Sequence, residues 1–162
     1  TGVMMFAKHR VVHAWMDQAL RNKTIQKTYH AIVSKQDVLK EHDVIDAPIG
    51  RTDDSIINRC VRPDGKPSLT EYWLEETYQH SQLVKIRLHT GRTHQIRVHF
   101  SWLGCPLLGD DLYGGEKIEP LVRQALHCSQ LDFIHPMTGE KMCVKAPLPQ
   151  DMAEWIEVDR YK

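Results

Sequence analysis

Apolar and polar positions follow two different periods along this chain, and each change of period marks an element. Val3-Met4-Met5-Phe6-Ala7 is an unbroken apolar run and predicts a first strand. From His9 to Leu20 the apolar residues Val12, Trp15, Met16, Ala19 and Leu20 recur at i, i+3, i+4, i+7 and i+8, the stripe of a helix with one buried face, which Arg21-Asn22-Lys23 ends. Lys27 to Val33 is β-branched and aromatic enough to form a strand, and the polar stretch Ser34 to Asp43 reads as a hairpin or loop. Asp46 to Gly50 is expected as a short partner strand. Arg51 to Pro67 is polar, turns at Pro63-Asp64-Gly65, and is expected to be a mobile excursion before strand character returns from Leu69 to Tyr78.

The strongest pattern follows. Val84, Ile86 and Leu88 alternate with Lys85, Arg87 and His89, predicting a strand with one buried and one cationic face. Thr90-Gly91 turns the chain, Thr93 is the expected N-cap, and Ile96, Phe100 and Leu103 form a helical stripe stopped by Gly104 and Pro106, with Arg97 about one turn in. Near the end, Lys145-Ala146-Pro147-Leu148-Pro149 breaks regular structure, and Asp151 to Ile156 predicts a short closing helix. Strands mixed with helices, without regular βαβ alternation, define an α+β class with a mixed, largely antiparallel β-sheet flanked by helices.

Composition narrows this little. The 162 residues are 41% hydrophobic and 26% charged, with 21 Lys+Arg against 21 Asp+Glu, and contain no repeat, linker or low-complexity tract, so one folded domain over 1–162 is expected. No apolar run approaches the roughly 20 residues of a membrane span, so no membrane association is expected. Cys60, Cys105, Cys128 and Cys143 are widely spaced and read as reduced thiols of a cytoplasmic protein. Because the apolar run starts almost at residue 1, and residue 1 is Thr, the first strand is read as entered through a cut, with residues upstream of it expected. The closing helix reads as a natural end.

Charge is unevenly distributed. Between Thr77 and Gly109 there is no Asp or Glu, while Lys85, Arg87, Arg92, Arg97, His80, His89, His94 and His99 all fall there. Such a stretch is either a solvated strand face balanced by acids elsewhere or a phosphate-binding groove. His94 and His99, with His89, His127 and His135, lack the spacing of a metal site, so no metal is expected. Phosphate-cradling glycine motifs and the nucleophile elbow are absent. Cys105, before Pro106, reads as a packing residue, and Asp110-Asp111 in a glycine-rich loop as turn formers.

Thr90-Gly91-Arg92-Thr93-His94-Gln95-Ile96-Arg97-Val98-His99, followed by Leu103-Gly104-Cys105-Pro106 and Gly109-Asp110-Asp111-Leu112-Tyr113-Gly114, resembles the signature of the RluA-type pseudouridine synthases. Lys27-Thr28-Tyr29-His30-Ala31 resembles that family's tyrosine strand, Leu126-His127-Cys128 with His135-Pro136-Met137-Thr138-Gly139-Glu140 its late strand pair, and Ala146-Pro147-Leu148-Pro149 its terminal motif. The resemblance implies isomerisation of uridine to pseudouridine in RNA without a cofactor or metal, by the C-terminal portion of a catalytic domain. Large-subunit ribosomal RNA is the expected substrate and transfer RNA the alternative, acted on by a monomer. By position Tyr29 would stack on the flipped target base, Arg97 would pair with the catalytic carboxylate, and Leu126 would pack under the base. An aromatic face to receive an unstacked base, and a guanidinium to hold a carboxylate ionised, suit that chemistry. Arg92, His94, Lys85 and Arg87 are the remaining expected substrate contacts, with Lys85, Arg87 and Arg92 on RNA phosphates. The family's aspartate lies in a His-Arg-Leu-Asp run shortly before a Thr-Ser-Gly or Thr-Thr-Gly; Thr1-Gly2 matches the end of that motif, so the aspartate is expected upstream of Thr1. A non-catalytic RNA-binding module of the same fold is the alternative, and a histidine-based metallohydrolase a distant third.

Overall fold

The computed structural model describes residues 1–161. In chain order it contains α1 (Arg10–Arg21), β1 (Gln26–Ser34), β2 (His42–Asp46), β3 (Ile49–Arg51), β4 (Arg59–Val61), β5 (Leu69–Thr77), β6 (Ser81–Leu88), α2 (Gln95–Trp102), a 3₁₀ turn at Asp111–Tyr113, β7 (Leu126–Ile134), β8 (Lys141–Lys145) and α3 (Gln150–Tyr161). Six strands form one sheet in the order β2-β5-β6-β1-β7-β8, with every neighbouring pair antiparallel, and β3-β4 form a separate hairpin. This is the α+β architecture the pattern predicts.

Pleating assigns the strand residues to two faces. Register pairs Tyr29 with Ile86 and Ile86 with Tyr72, so these side chains share one face with Ala31, Val33 and Val84. Ile96 and Phe100 of α2 cover that face, and Tyr72 meets Phe100 edge to face at 5.6 Å. The opposite face carries Ile32 and Leu83, covered by Met152, Trp155 and Ile156 of α3 with Leu121 and Ala125. Helix α3 is held by a buried carboxylate: Asp159 accepts from the His80 backbone N–H (3.1 Å), His80 Nδ1 (2.9 Å) and the Ser81 hydroxyl (2.5 Å), while Trp155 Nε1 donates to Ser81 Oγ (3.1 Å).

The structure corrects several expectations. Val3–Ala7 forms no regular strand: Gly2 bridges Cys128 and Val3 N–H donates to the Cys128 carbonyl (2.8 Å), but Met4 and Phe6 stay exposed, because a strand exists only where neighbouring backbone takes up its hydrogen bonds. Helix α1 has no buried residue; Val12 and Met16 are half-covered while Val11, Trp15 and Leu20 are exposed. The strand expected over Asp46–Gly50 is two strands parted at Ala47-Pro48, where proline has no N–H to donate. The expected excursion over 51–67 folds as the β3–β4 hairpin, pairing Ile49 with Val61 and Arg51 with Arg59. The closing helix runs twice as far as its apolar stripe. Finally, Thr93 does not cap α2. His94 takes that position in the left-handed region (φ 56°), and Gln95 receives the Arg92 N–H instead.

Candidate active site

The ten-residue run from Thr90 to His99 is a hydrogen-bond network rather than a metal site. His99, fully buried, donates from Nε2 to the Ala47 carbonyl (2.9 Å), which leaves Nδ1 to accept from the Thr70 hydroxyl (2.8 Å). Thr70 Oγ1 accepts in turn from Gln95 Nε2 (2.9 Å), which also donates to the Leu69 carbonyl (3.0 Å). Gln95 Oε1 accepts from the Thr90 hydroxyl (2.8 Å) and the Arg92 N–H (2.9 Å). Every polar atom of the buried Gln95 side chain is filled, so the network fixes where α2 begins and how it sits on β5. Burial holds the His99 imidazole below its ordinary pKa and therefore neutral. The other histidines disperse: His89 meets Glu71 (2.8 Å), His94 meets Tyr113 (2.8 Å), and His127 meets Thr1 (3.0 Å). Among the described residues no three His, Cys, Asp or Glu side chains gather as metal ligands.

With α2 fixed, Arg97 points at the loop after it. Its Nε and Nη2 donate to the two oxygens of Asp110 at 2.6 Å each, a bidentate pair in which the carboxylate is 1% and the arginine side chain 13% exposed. The guanidinium lies 4.8 Å from the ring centroid of Tyr113, whose hydroxyl accepts from the Arg59 N–H (3.2 Å) and is left to donate to His94 Nδ1 (2.8 Å). Burial and the nearby Arg97 charge lower the His94 pKa, consistent with an accepting nitrogen. The loop is tight because its glycines admit no side chain: a Cβ at Gly109 (φ 73°) would sit on the Arg123 carbonyl, and one at Gly115 on that of Leu107. Asp110 is thus no mere turn former. Its neighbour Asp111, paired with Lys117 at the surface, fits that reading. A buried acid thirteen residues from a half-buried arginine leaves no mark in a periodicity, which is why spacing missed it.

Tyr29 stands elsewhere on the same sheet face, half-buried with Leu126 against the α2-covered core. It separates two clefts. One, of about 480 Å³, is lined by Lys23, Lys27, Tyr29, Arg87, His89 and Thr90. The other, of about 390 Å³, is lined by Thr1, Val3, His13, Met16, Tyr29 and Cys128. Burial, with the Cys128 thiol beside it, pushes the Tyr29 phenol up to about 12. The first cleft meets a third, of about 540 Å³, at Gly91; Arg51, Arg59, Lys66 and Arg92 line it with Asp64, which Arg62 engages at 2.5 Å. Arg97 lines none of these clefts. Nor are all the expected phosphate ligands together. Register puts Lys85 and Arg87 on the face opposite Tyr29, each 5.7 Å from the Trp73 ring, with His42 stacked on that ring at 5.0 Å. Arg87, near the strand end, still reaches the Tyr29 cleft; Lys85, two residues earlier, does not. Cys105 is fully buried and its thiol pushed up to about 12 by burial, an inert packing residue.

The site is thus a strand-rich α+β domain's half-buried arginine on a buried acid, with a half-buried tyrosine between two clefts, and comparison with known proteins makes the class definite. The sequence model described as RNA pseudouridylate synthase matches residues 1–102. The chain belongs to that family. It is 46% identical over 161 residues to the uncharacterized RNA pseudouridine synthase YjbO of Bacillus subtilis, covering 99% of this chain and 56% of that protein. It is 39% identical over 173 residues to the ribosomal large subunit pseudouridine synthase D of Vibrio vulnificus, covering 99% and 53%. The chain thus spans about half the length of the curated relatives it matches. Among solved structures, human RNA Pseudouridylate Synthase Domain Containing 1 superposes with a TM-score of 0.73 at 24% identity, over 96% of this chain and 74% of that one, a likeness of fold.

Proposed function

We propose that this chain is the C-terminal portion of a pseudouridine synthase catalytic domain, converting specific uridines in structured RNA to pseudouridine in the cytoplasm, as a monomer and without a cofactor. The glycosidic carbon-nitrogen bond of the target breaks, the base turns, and a carbon-carbon bond to the same ribose carbon forms; the proton displaced from the ring carbon is balanced by one gained on the freed nitrogen. Large-subunit ribosomal RNA is the proposed substrate, in keeping with the name of the Vibrio relative, and transfer RNA the alternative. The observation that carries this reading is where Thr1-Gly2 lies. Gly2 bridges Cys128, and Cys128 is the β7 partner of Tyr29, so the family's threonine-glycine pair runs one strand away from the tyrosine proposed to stack on the base. The family's aspartate would enter from there, along β7, with Leu126, on the face of Ala31 and Tyr29, beneath the base. Arg87 and Arg92, flanking the Thr90-Gly91 turn, are proposed to hold the RNA backbone along the joined clefts, and His94 to sit beside it.

Arg97 bears on the alternative. Its fork is already filled by Asp110, as a non-catalytic RNA-binding module would have it, yet among the described residues Nη1 has no hydrogen-bond partner and can meet a second carboxylate. Tritium release from RNA labelled at the uridine ring carbon separates the two. A form of the protein carrying a His-Arg-Leu-Asp run before Thr1 is expected to release tritium in the presence of chelator, and the 162-residue chain alone to release none. Binding without release by both forms would establish the module instead.

A further inference from the structure

We propose that Asp110 and Tyr113 are positioning residues that hold the Arg97 guanidinium in one orientation and tie it, through the Tyr113 hydroxyl, to the β3–β4 hairpin. The inference deepens the proposed function but stands on geometry of its own. An arginine side chain has many rotamers, and one that must present a single N–H edge to a reacting partner loses rate for every orientation that is wrong. Here two of its sides are fixed. Asp110 takes the Nε and Nη2 edge at 2.6 Å twice over, and the Tyr113 ring takes one flat face at 4.8 Å. What remains open is Nη1.

Both positioning groups are themselves held. Asp110 N–H donates to the Leu107 carbonyl (3.2 Å), and the Asp110 carbonyl accepts from the N–H of Tyr113 (3.1 Å) and of Gly115 (2.7 Å). Ser101 Oγ of α2 donates to the Tyr113 carbonyl (2.8 Å), so helix and loop move as one body. The Tyr113 hydroxyl then reaches out of that body. It accepts from the backbone N–H of Arg59 in β4, and its ring crosses His94 at 77° with centroids 5.6 Å apart. The hairpin carries Arg51 and Arg59 into the cationic cleft and exposes Ile56 and Ile57 at its tip. Whatever seats the hairpin on RNA therefore bears on the tyrosine against whose ring Arg97 rests, and a single hydroxyl makes the connection.

The test has two arms, of which only one needs activity. In the 162-residue chain, the Nε–H proton of Arg97 is expected as a resolved signal at neutral pH that exchanges at least about tenfold more slowly than in a free arginine side chain, because that proton is held by Asp110 Oδ2. Exchange at the free rate in the unmutated protein would overturn the proposal without any variant. Asp110→Asn is expected to erase the protection and Asp110→Glu to restore part of it; should Asn disrupt folding, the wild-type measurement still decides. In the form that converts uridine, Asp110→Asn should lower turnover by about a hundredfold while RNA affinity changes less than about threefold. Tyr113→Phe keeps the ring under the guanidinium and removes the tie to Arg59, so the Arg97 signal should stay protected while RNA affinity falls more than turnover does. Equal losses of affinity and turnover in both variants would mean that the loop is only scaffolding. If no form converts uridine, the proposed function fails, and the exchange arm still reports on the clamp.

Discussion

Lysine at position 97 could offer protons to one oxygen of Asp110 but could not fill both while keeping a third edge free, since an ammonium is a point charge and a guanidinium a planar fork. Arg97→Lys is therefore expected to cost about a hundredfold in single-turnover rate with RNA affinity nearly unchanged, measured in a form of the protein given a His-Arg-Leu-Asp run before Thr1. Tyr29 belongs to the same scale. With its phenol pushed up to about 12 by burial, it is neutral at any working pH, so the pH-rate profile should show no ionisation from Tyr29 between about pH 7 and 10, and Tyr29→Phe should keep RNA affinity because the stacking face remains. His99 governs stability instead. Its imidazole is held neutral by burial when folded but takes up a proton near pH 6.5 when unfolded, so folding is unaffected above about pH 7 and weakens as pH falls below about 6.5, by at most about 1.4 kcal/mol per pH unit. Denaturant melts from pH 7 to 5 should show that slope, and His99→Ala should flatten it while losing about 2 to 4 kcal/mol at pH 7, because the Ala47 carbonyl loses its donor and the Thr70 hydroxyl proton its acceptor.

At the scale of elements, β6 divides what its sequence joins. Lys85 and Arg87 alternate with Val84 and Ile86 as the pattern requires, and so both leave the Tyr29 face, but only Arg87 is near enough to the strand end to reach the cleft. Arg87→Ala and Arg92→Ala are each expected to shallow the salt dependence of RNA binding by about 0.7 to 0.9 log units per log unit of salt, for cognate and unrelated RNA alike. Lys85→Ala should leave the slope as it is. A flattened slope for Lys85→Ala would put RNA on the Trp73 face of the sheet. Much at this scale was legible in the sequence: β1, β5 and β6 and the helices α1 and α2 all fall where period and breakers put them, since each has a run long enough to show its period. The short hairpin strands β3 and β4, three residues apiece, carry no period at all.

The whole molecule depends on α3 closing one face of the sheet. Met152, Trp155 and Ile156 supply the apolar surface there, and Asp159 ties the helix to the β5–β6 turn. Burial raises the Asp159 carboxyl, but the hydrogen bonds from Ser81 and His80 outweigh it and hold the group below its ordinary value. The stability it confers is present above about pH 4 and is lost as pH falls through the lowered folded value. Asp159→Ala should cost about 3 kcal/mol in urea denaturation at pH 7, leaving the Ser81 hydroxyl and the His80 N–H without their acceptor.

By itself the sequence determined the class of fold, the helical and extended stretches with a period of their own, and, through motifs that depend on residue identity, the family; it also singled out Tyr29 and Arg97 as candidates. Those are local properties, set by a residue and its neighbours within a turn or two. Only the tertiary structure decided what Arg97 binds, that His99 and Gln95 build a network instead of a site, which charged side chains share a face with Tyr29, and that Val3–Ala7 stays out of the sheet. Each of those depends on groups far apart in the chain meeting in a fixed geometry: an acid thirteen residues on, a carbonyl fifty-two residues back, a strand register that turns a charge to one side or the other. Hydrogen bonds, including those of a bidentate ion pair, form only within about 3 Å and in a narrow range of angles, so their partners are settled by packing and leave no trace in the order of residues.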